Sequence, residues 1–320
     1  MELTIFAAPG SRSADYDQYL RLAQAAETFG YDGFVRGDHY WGEVEPGSTD
    51  AWMTLAGLVR ETSTIRLGVL VTAATFRHPG SLAVQVAQVD QMSRGRVDFG
   101  LGAGWYEPEH RAYGIPYPSW GERFDRFEES LAVITGLWQT PVGDRFNHHG
   151  KHFRLEDCSA LPKPVQPGGP PIIIGGAGTR RTPALAARYA DEFNHQPGRT
   201  DVDEPFNAQP TAVAAVAAQF ERVKQACQAI DREPGDIKLS HAVVLCCGRT
   251  DAEIAERAAA IDRTVEQLRE RGGAGSPAEI IDSVGRYAEI GSKRTYFMIR
   301  NIDDIDHLEL VASEVMPQLR

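Results

Sequence analysis

The chain has 320 residues, enough for one large α/β domain or two small ones, with 42% hydrophobic and 24% charged residues, ordinary values for a soluble globular fold. A net charge of −11 argues against nucleic acid or an anionic membrane surface as the main partner. No run approaches the roughly 18 apolar residues of a membrane span, and the opening MELTIFAAPG lacks the basic and long apolar regions of a secretory leader. Cys158, Cys227, Cys246 and Cys247 show no CxxC spacing and read as free thiols, so a reducing cytoplasm is the expected location.

Short apolar runs alternate with amphipathic stretches. A strand is expected over 3–8, then a helix capped by Ser13 with Tyr19, Leu22, Ala23, Ala26 and Phe29 on one face, stopped at Gly30. Strands follow over 32–37, 65–72 and 96–102, with helices over 50–62, 81–92 and 122–138. Residues 143–157 read as a hairpin, and LPKPVQPGGPP as a proline-rich bridge. Strands over 172–175, 192–196, 238–246 and 294–299 come next, with helices over 182–189, 252–271 and 277–290 between them. A long helix carries Val216, Phe220, Val223, Cys227 and Ile230 on one stripe, and a closing helix buries Leu308, Val311 and Val315.

This is about eight strands, each followed by a helix, without a composition shift. The expectation is one TIM (β/α)8 barrel domain over 1–320, with insertions after strand 4 (the hairpin) and strand 6 (the polar stretch 197–210). A doubly wound sheet would use a G-x-G-x-x-G fingerprint, which GLGAGWYEPE fails: Gly100, Gly102 and Gly104 alternate, and Trp105 stands at the sixth position.

A barrel builds its active site at the C-terminal strand ends. Schiff-base chemistry needs a lysine there, yet Lys238 and Lys293 sit at strand starts, and Lys151, Lys163 and Lys224 lie in loops or on a helix. His148, His149 and His152 of HHGKH fall in the hairpin, and their spacing is a weak zinc signature, so no metal is expected. In IIIGGAGTRR a strand, a glycine turn and a helix start follow one another. Gly175, Gly176, Ala177, Gly178, Thr179 and Arg180 then form an anion site of backbone N–H groups and helix dipole, with Arg181 adding charge. Phe6, Trp41, Val71 and Trp105 would add an apolar slot, which beside an anion grip suits a flat cofactor with a phosphorylated tail.

GDHYW, VTAATFRHPGSLAVQVAQVDQMSRGRVDFGLGAGWYEPEHRAYG, GERFDRFEESLAVITGLW and PIIIGGAGTRRTPALAARYADEFN occur in that order. With them the chain resembles the bacterial luciferase-like monooxygenase family over nearly its whole length, and within it the branch using the deazaflavin coenzyme F420. The resemblance implies a barrel holding a flavin or deazaflavin across the strand ends. It implies a non-prolyl cis peptide within Leu70, Val71 and Thr72 propping the ring, glycines Gly102 and Gly104 passing close to the cofactor, and the Gly175–Gly178 turn on its phosphate. It also implies His39 as the acid/base group, with Asp38 and Trp41 beside it; Glu107 and Glu109 lie nearby, neither at the position of the branch's strand-4 glutamate, and Glu107 is the candidate catalytic acid. The sugar-phosphate dehydrogenases of the branch carry a glutamate where this chain has Trp105, which argues against that substrate. The expected activity is hydride transfer to or from a small organic molecule by a homodimer, with Arg180, Arg181 and Arg300 as candidates for the anionic coenzyme tail. An FMN- and oxygen-using monooxygenase is the alternative, and a cofactor-free barrel or a non-catalytic flavin-binding relative a third reading.

Overall fold

The computed structural model describes residues 1–8, 14–41, 47–196 and 212–320. In chain order the first half comprises β1 (Glu2–Ala7), α1 (Tyr16–Thr28), β2 (Gly33–Arg36), α2 (Ala51–Glu61), β3 (Arg66–Ala73), α3 (Pro79–Ser93), β4 (Val97–Gly102), α4 (Glu107–Ala112) and α5 (Trp120–Gln139). The second half comprises β5 (Phe146–His149), β6 (Arg154–Cys158), β7 (Ile172–Gly175), α6 (Arg181–Tyr189), β8 (Glu192–His195), α7 (Ala212–Gln228), β9 (Lys238–Val244), β10 (Cys246–Cys247), α8 (Asp251–Ala259), α9 (Val265–Glu270), β11 (Ala274–Gly275), α10 (Pro277–Glu289), β12 (Arg294–Ile299), α11 (Ile305–Glu314) and α12 (Met316–Leu319).

The strands β1-β12-β9-β8-β7-β4-β3-β2 close into a parallel barrel ringed by helices, the TIM-barrel architecture. Strands buried on both faces explain the continuous apolar runs: every residue of β4 and β12 is buried. The N-terminal mouth is plugged by charge. Arg294 pairs with Glu2 (2.6 Å), Glu192 (2.9 Å) and Asp98 (3.3 Å), and the Tyr296 hydroxyl donates to Glu192. Burial works against the Arg294 charge, but these neighbours outweigh it and hold the guanidinium protonated. With that end sealed, the open end carries the cavity.

Three expectations change. Helix α1 is capped by Asp15, which accepts from the Gln18 N–H while the Gln18 side chain accepts from the Asp15 N–H; Ser13 lies outside the described residues. The hairpin β5–β6 lies between the fourth and fifth barrel strands, as expected, whereas the insertion after strand 6 falls on residues 197–211, also outside the described residues. The helix expected over 252–271 is split into α8 and α9, part of an insertion after strand 7 closed by the parallel pair β10–β11. Asp262 in the left-handed region (φ 54°) breaks the helix, and a Thr264–Gln267 capping box restarts it. The long helix also stops at Gln228, which leaves Ile230 exposed rather than on the buried stripe. None of the described helices is long and apolar enough to cross a membrane.

The insertion is tied down by His307, whose Nε2 accepts from the Cys247 N–H at 2.8 Å. Burial, reinforced by Arg257, pushes the His307 pKa from 6.5 down to about 4. Between those values the unfolded chain binds a proton that the folded chain refuses, so stability should fall as the pH drops from 6.5 toward 4. His307→Gln, whose carbonyl still accepts that N–H, should flatten part of this acid limb in urea melts; an unchanged slope would remove His307 as its cause.

Candidate active site

The open barrel end holds a cavity of about 470 Å³, a volume typical of small-molecule sites. At its edge stands His39, on the loop leaving β2. Its Nδ1 lies 3.0 Å from Glu109 Oε1, and the other Glu109 oxygen accepts from the Tyr40 N–H at 3.0 Å. The Glu109 side chain is 2% exposed and that of His39 36%, so the carboxylate is sealed behind an imidazole that a ligand can reach. With Nδ1 so engaged, Nε2 has no partner among the described residues. The Trp105 ring meets the His39 ring edge-on, centroids 5.6 Å apart, and Trp41 and Tyr106 also line the cavity.

Asp38 is next in sequence but differently employed. Fully buried, it accepts from the Ala73 N–H and takes both terminal nitrogens of Arg77, which also reaches Asp50, the cap of α2. Burial opposes the Arg77 charge, and Asp38 and Asp50 more than offset it, keeping it above its usual range. Asp38 is therefore a latch joining the ends of β2 and β3, and its oxygens are already committed.

Strand β3 carries a register shift against β4 between Val69 and Thr72, and the Leu70–Val71 peptide bond is cis, inside the window the resemblance implied. Leu70, Val71 and Phe6 line the cavity. Thr72 does not: it is fully buried, its hydroxyl accepting from the Trp52 indole of α2 at 3.1 Å. The glycine row of β4 makes room for this irregular strand. A Cβ on Gly100 would strike the Val69 carbonyl, one on Gly102 would lie 2.7 Å from Val71 Cγ2, and one on Gly104 (φ 75°) 2.6 Å from Thr75 Oγ1. Gly102 and Gly104 border the cavity as expected, but the space they free is filled first by Val71 of β3 and by Thr75 just beyond it.

Across the cavity is the turn between β7 and α6. Gly176 adopts φ 145°, a conformation open to glycine, and donates to the Asn194 carbonyl at 3.3 Å. A Cβ on Gly178 would sit 2.5 Å from Thr182 Oγ1. No side chain caps the first N–H groups of α6, so they remain available to an anion. Gly175, Gly176, Ala177 and Thr182 line the cavity, whereas Gly178, Thr179 and Arg180 do not, the last two being exposed. Arg181 does not serve the turn: it pairs with Asp125 (2.8 Å) and Glu128 of α5.

A model of the luciferase-like monooxygenase family matches residues 1–301. The chain belongs to that family. It is 27% identical over 320 aligned positions to an F420-dependent glucose-6-phosphate dehydrogenase of Beutenbergia cavernae, covering 94% of this chain and 93% of that one. To the FMNH(2)-dependent dimethylsulfone monooxygenase of Pseudomonas putida it is 29% identical over 182 residues, 57% of this chain and 49% of that one. The chain spans 48–60% of the length of several curated relatives it matches. The structure of an F420-dependent secondary alcohol dehydrogenase in complex with an F420–acetone adduct superposes with a TM-score of 0.81 at 18% identity, covering 100% of this chain and 99% of that one.

In this luciferase-like barrel the structure thus gathers His39, Trp41, Phe6, Leu70, Val71, Gly102, Gly104 and the first half of the glycine turn around one cavity. Glu107 is not among them; it is exposed on the first turn of α4, and the carboxylate that meets His39 is Glu109. Sequence reasoning missed Arg77 and gave His195, at the end of the sixth barrel strand, no role; they sit 39 and 156 positions beyond Asp38 and His39 in the chain and are joined to the site by the fold. Arg300, a candidate for an anionic tail, does line the cavity.

Proposed function

We propose that this luciferase-like protein is a coenzyme F420-dependent oxidoreductase transferring a hydride to or from a small organic substrate, with His39 as its acid/base group. The observation that carries the reading is the His39–Glu109 pair: a reachable imidazole Nε2 whose other nitrogen is held by a sealed carboxylate. The cavity fits the coenzyme by its chemistry, with uncapped helix amides on one side and an apolar wall at Leu70, Val71 and Phe6 on the other. When bound, a deazaflavin supplies a hydride donor or acceptor at a ring carbon. The Ala177 backbone and the start of α6 would hold its phosphate, and the apolar wall would carry its ring. His39 then takes or delivers the substrate proton at Nε2. Glu109 fixes the ring orientation through Nδ1. Trp41, Trp105 and Tyr106 restrict water at the rim.

A monooxygenase using reduced FMN is the second reading, favoured by the same phosphate and ring walls and by the likeness to the dimethylsulfone monooxygenase. Titrating the purified protein with F420 and with reduced FMN, anaerobically and aerobically, separates the two: tight binding of F420 alone supports hydride transfer, and a preference for FMN overturns it. The reading includes a cytoplasmic homodimer, which light scattering tests for the oligomer. For the turn, Gly178→Val is expected to weaken FMN or F420 about tenfold while sparing riboflavin, which has no phosphate. Equal losses would remove the phosphate assignment.

A further inference from the structure

His195, at the C-terminal end of β8, has no part in the chemistry above. Its ring is in the cavity wall, only 6% exposed. Nδ1 lies 3.2 Å from the Gly176 carbonyl, and a carbonyl only accepts, so Nδ1 carries the proton. In the neutral ring Nε2 is then a lone-pair acceptor. Burial, with Arg222 nearby, lowers the His195 pKa against the opposing pull of the Gly176 carbonyl and keeps the ring neutral. Nε2 has no hydrogen-bond partner among the described residues, and the residue lines the cavity.

The orientation is fixed from both sides. Gly176 donates its N–H to Asn194 and accepts from His195, lacing the turn to the end of β8. The Asn194 side-chain NH2 donates to the Ser240 hydroxyl at 3.0 Å, which pins the residue before His195, and His195 Nε2 is an acceptor next to the turn. The turn also adjoins the apolar wall: a Cβ on Gly175 would be 3.7 Å from Val71 Cγ1. A ligand with its phosphate at the turn and its ring on Val71 must pass its connecting chain by His195.

We propose that His195 Nε2 accepts a hydrogen bond from a hydroxyl of the polyhydroxylated chain linking coenzyme ring to phosphate. The inference rests on the coenzyme reading above, but not on which coenzyme is used, because FMN and F420 share that chain.

The test is fluorescence titration of the parent, His195→Phe and His195→Gln with four probes: F420, FMN, riboflavin and lumiflavin, the last lacking the hydroxylated chain. His195→Phe should weaken the coenzyme that the parent prefers, and riboflavin, about tenfold. Lumiflavin should bind as to the parent, and His195→Gln, whose amide oxygen accepts, should recover most of the loss. A loss confined to the phosphorylated probes would mean that the ring acts only through the turn, and a loss shared by lumiflavin would mean a general distortion; either overturns the proposal. So does unchanged binding of every probe. A parent that binds none of the four sinks the coenzyme reading and this proposal together.

Discussion

Replacing His39 by alanine is expected to lower turnover by about 10²–10⁴-fold with little change in coenzyme affinity. The imidazole stands at the cavity edge, not in the apolar wall or the phosphate turn, so its loss removes a proton carrier without removing a binding surface. Glu109→Gln should reproduce part of the loss. Its amide still fills the space and its oxygen still accepts from the Tyr40 N–H, but the NH2 group then faces Nδ1 and the carboxylate contact that orients the ring is lost. If His39→Ala lost coenzyme binding in step with turnover, His39 would be a strut rather than a proton carrier.

Asp38→Ala is expected to act on stability instead, lowering the free energy of unfolding by about 3 kcal/mol. The change strands Arg77 beside a single remaining carboxylate, Asp50, and leaves the buried Ala73 N–H without its acceptor. Asp50 is the reason to expect the lower end of the cost of breaking a buried ion pair. Asp38→Asn keeps an acceptor for the Ala73 N–H and should lose less. Urea unfolding reads both variants. Unchanged stability with turnover as low as in His39→Ala would make Asp38 part of the chemistry and not a latch.

The contrast between these neighbours shows what could be read in the sequence. GDHYW places Asp38 and His39 at a barrel strand end once the βα alternation is seen, and that alternation survives errors of a residue or two at each element end. It does not say which acid meets His39. Glu107 and Glu109 are two positions apart on α4, roughly 200° around a helix, so one faces solvent when the other faces the site. Only the docking of α4 decides between them. Thr72 comes with Leu70 and Val71 as one window implied by the resemblance, and three successive residues of a strand do not share a face, even across the register shift between Val69 and Thr72. The insertion after strand 7 was hidden because the apolar spacing continues across Asp262 and Thr264, where the backbone does not. The latch through Arg77 and the His195 contact depend on pairings between distant segments that no local pattern carries.

The glycine row of β4 sets how this cavity wall can be redesigned. At position 102 the obstacle is the Val71 side chain, so a methyl group there is negotiable if residue 71 is trimmed, and the two positions form one unit of variation across strands. At position 100 the obstacle is the Val69 backbone carbonyl, which no choice of side chain can shorten. A library built to reshape the ring-binding wall should therefore vary 71 and 102 jointly and hold 100 as glycine; randomising either of the first two alone samples mostly overpacked combinations.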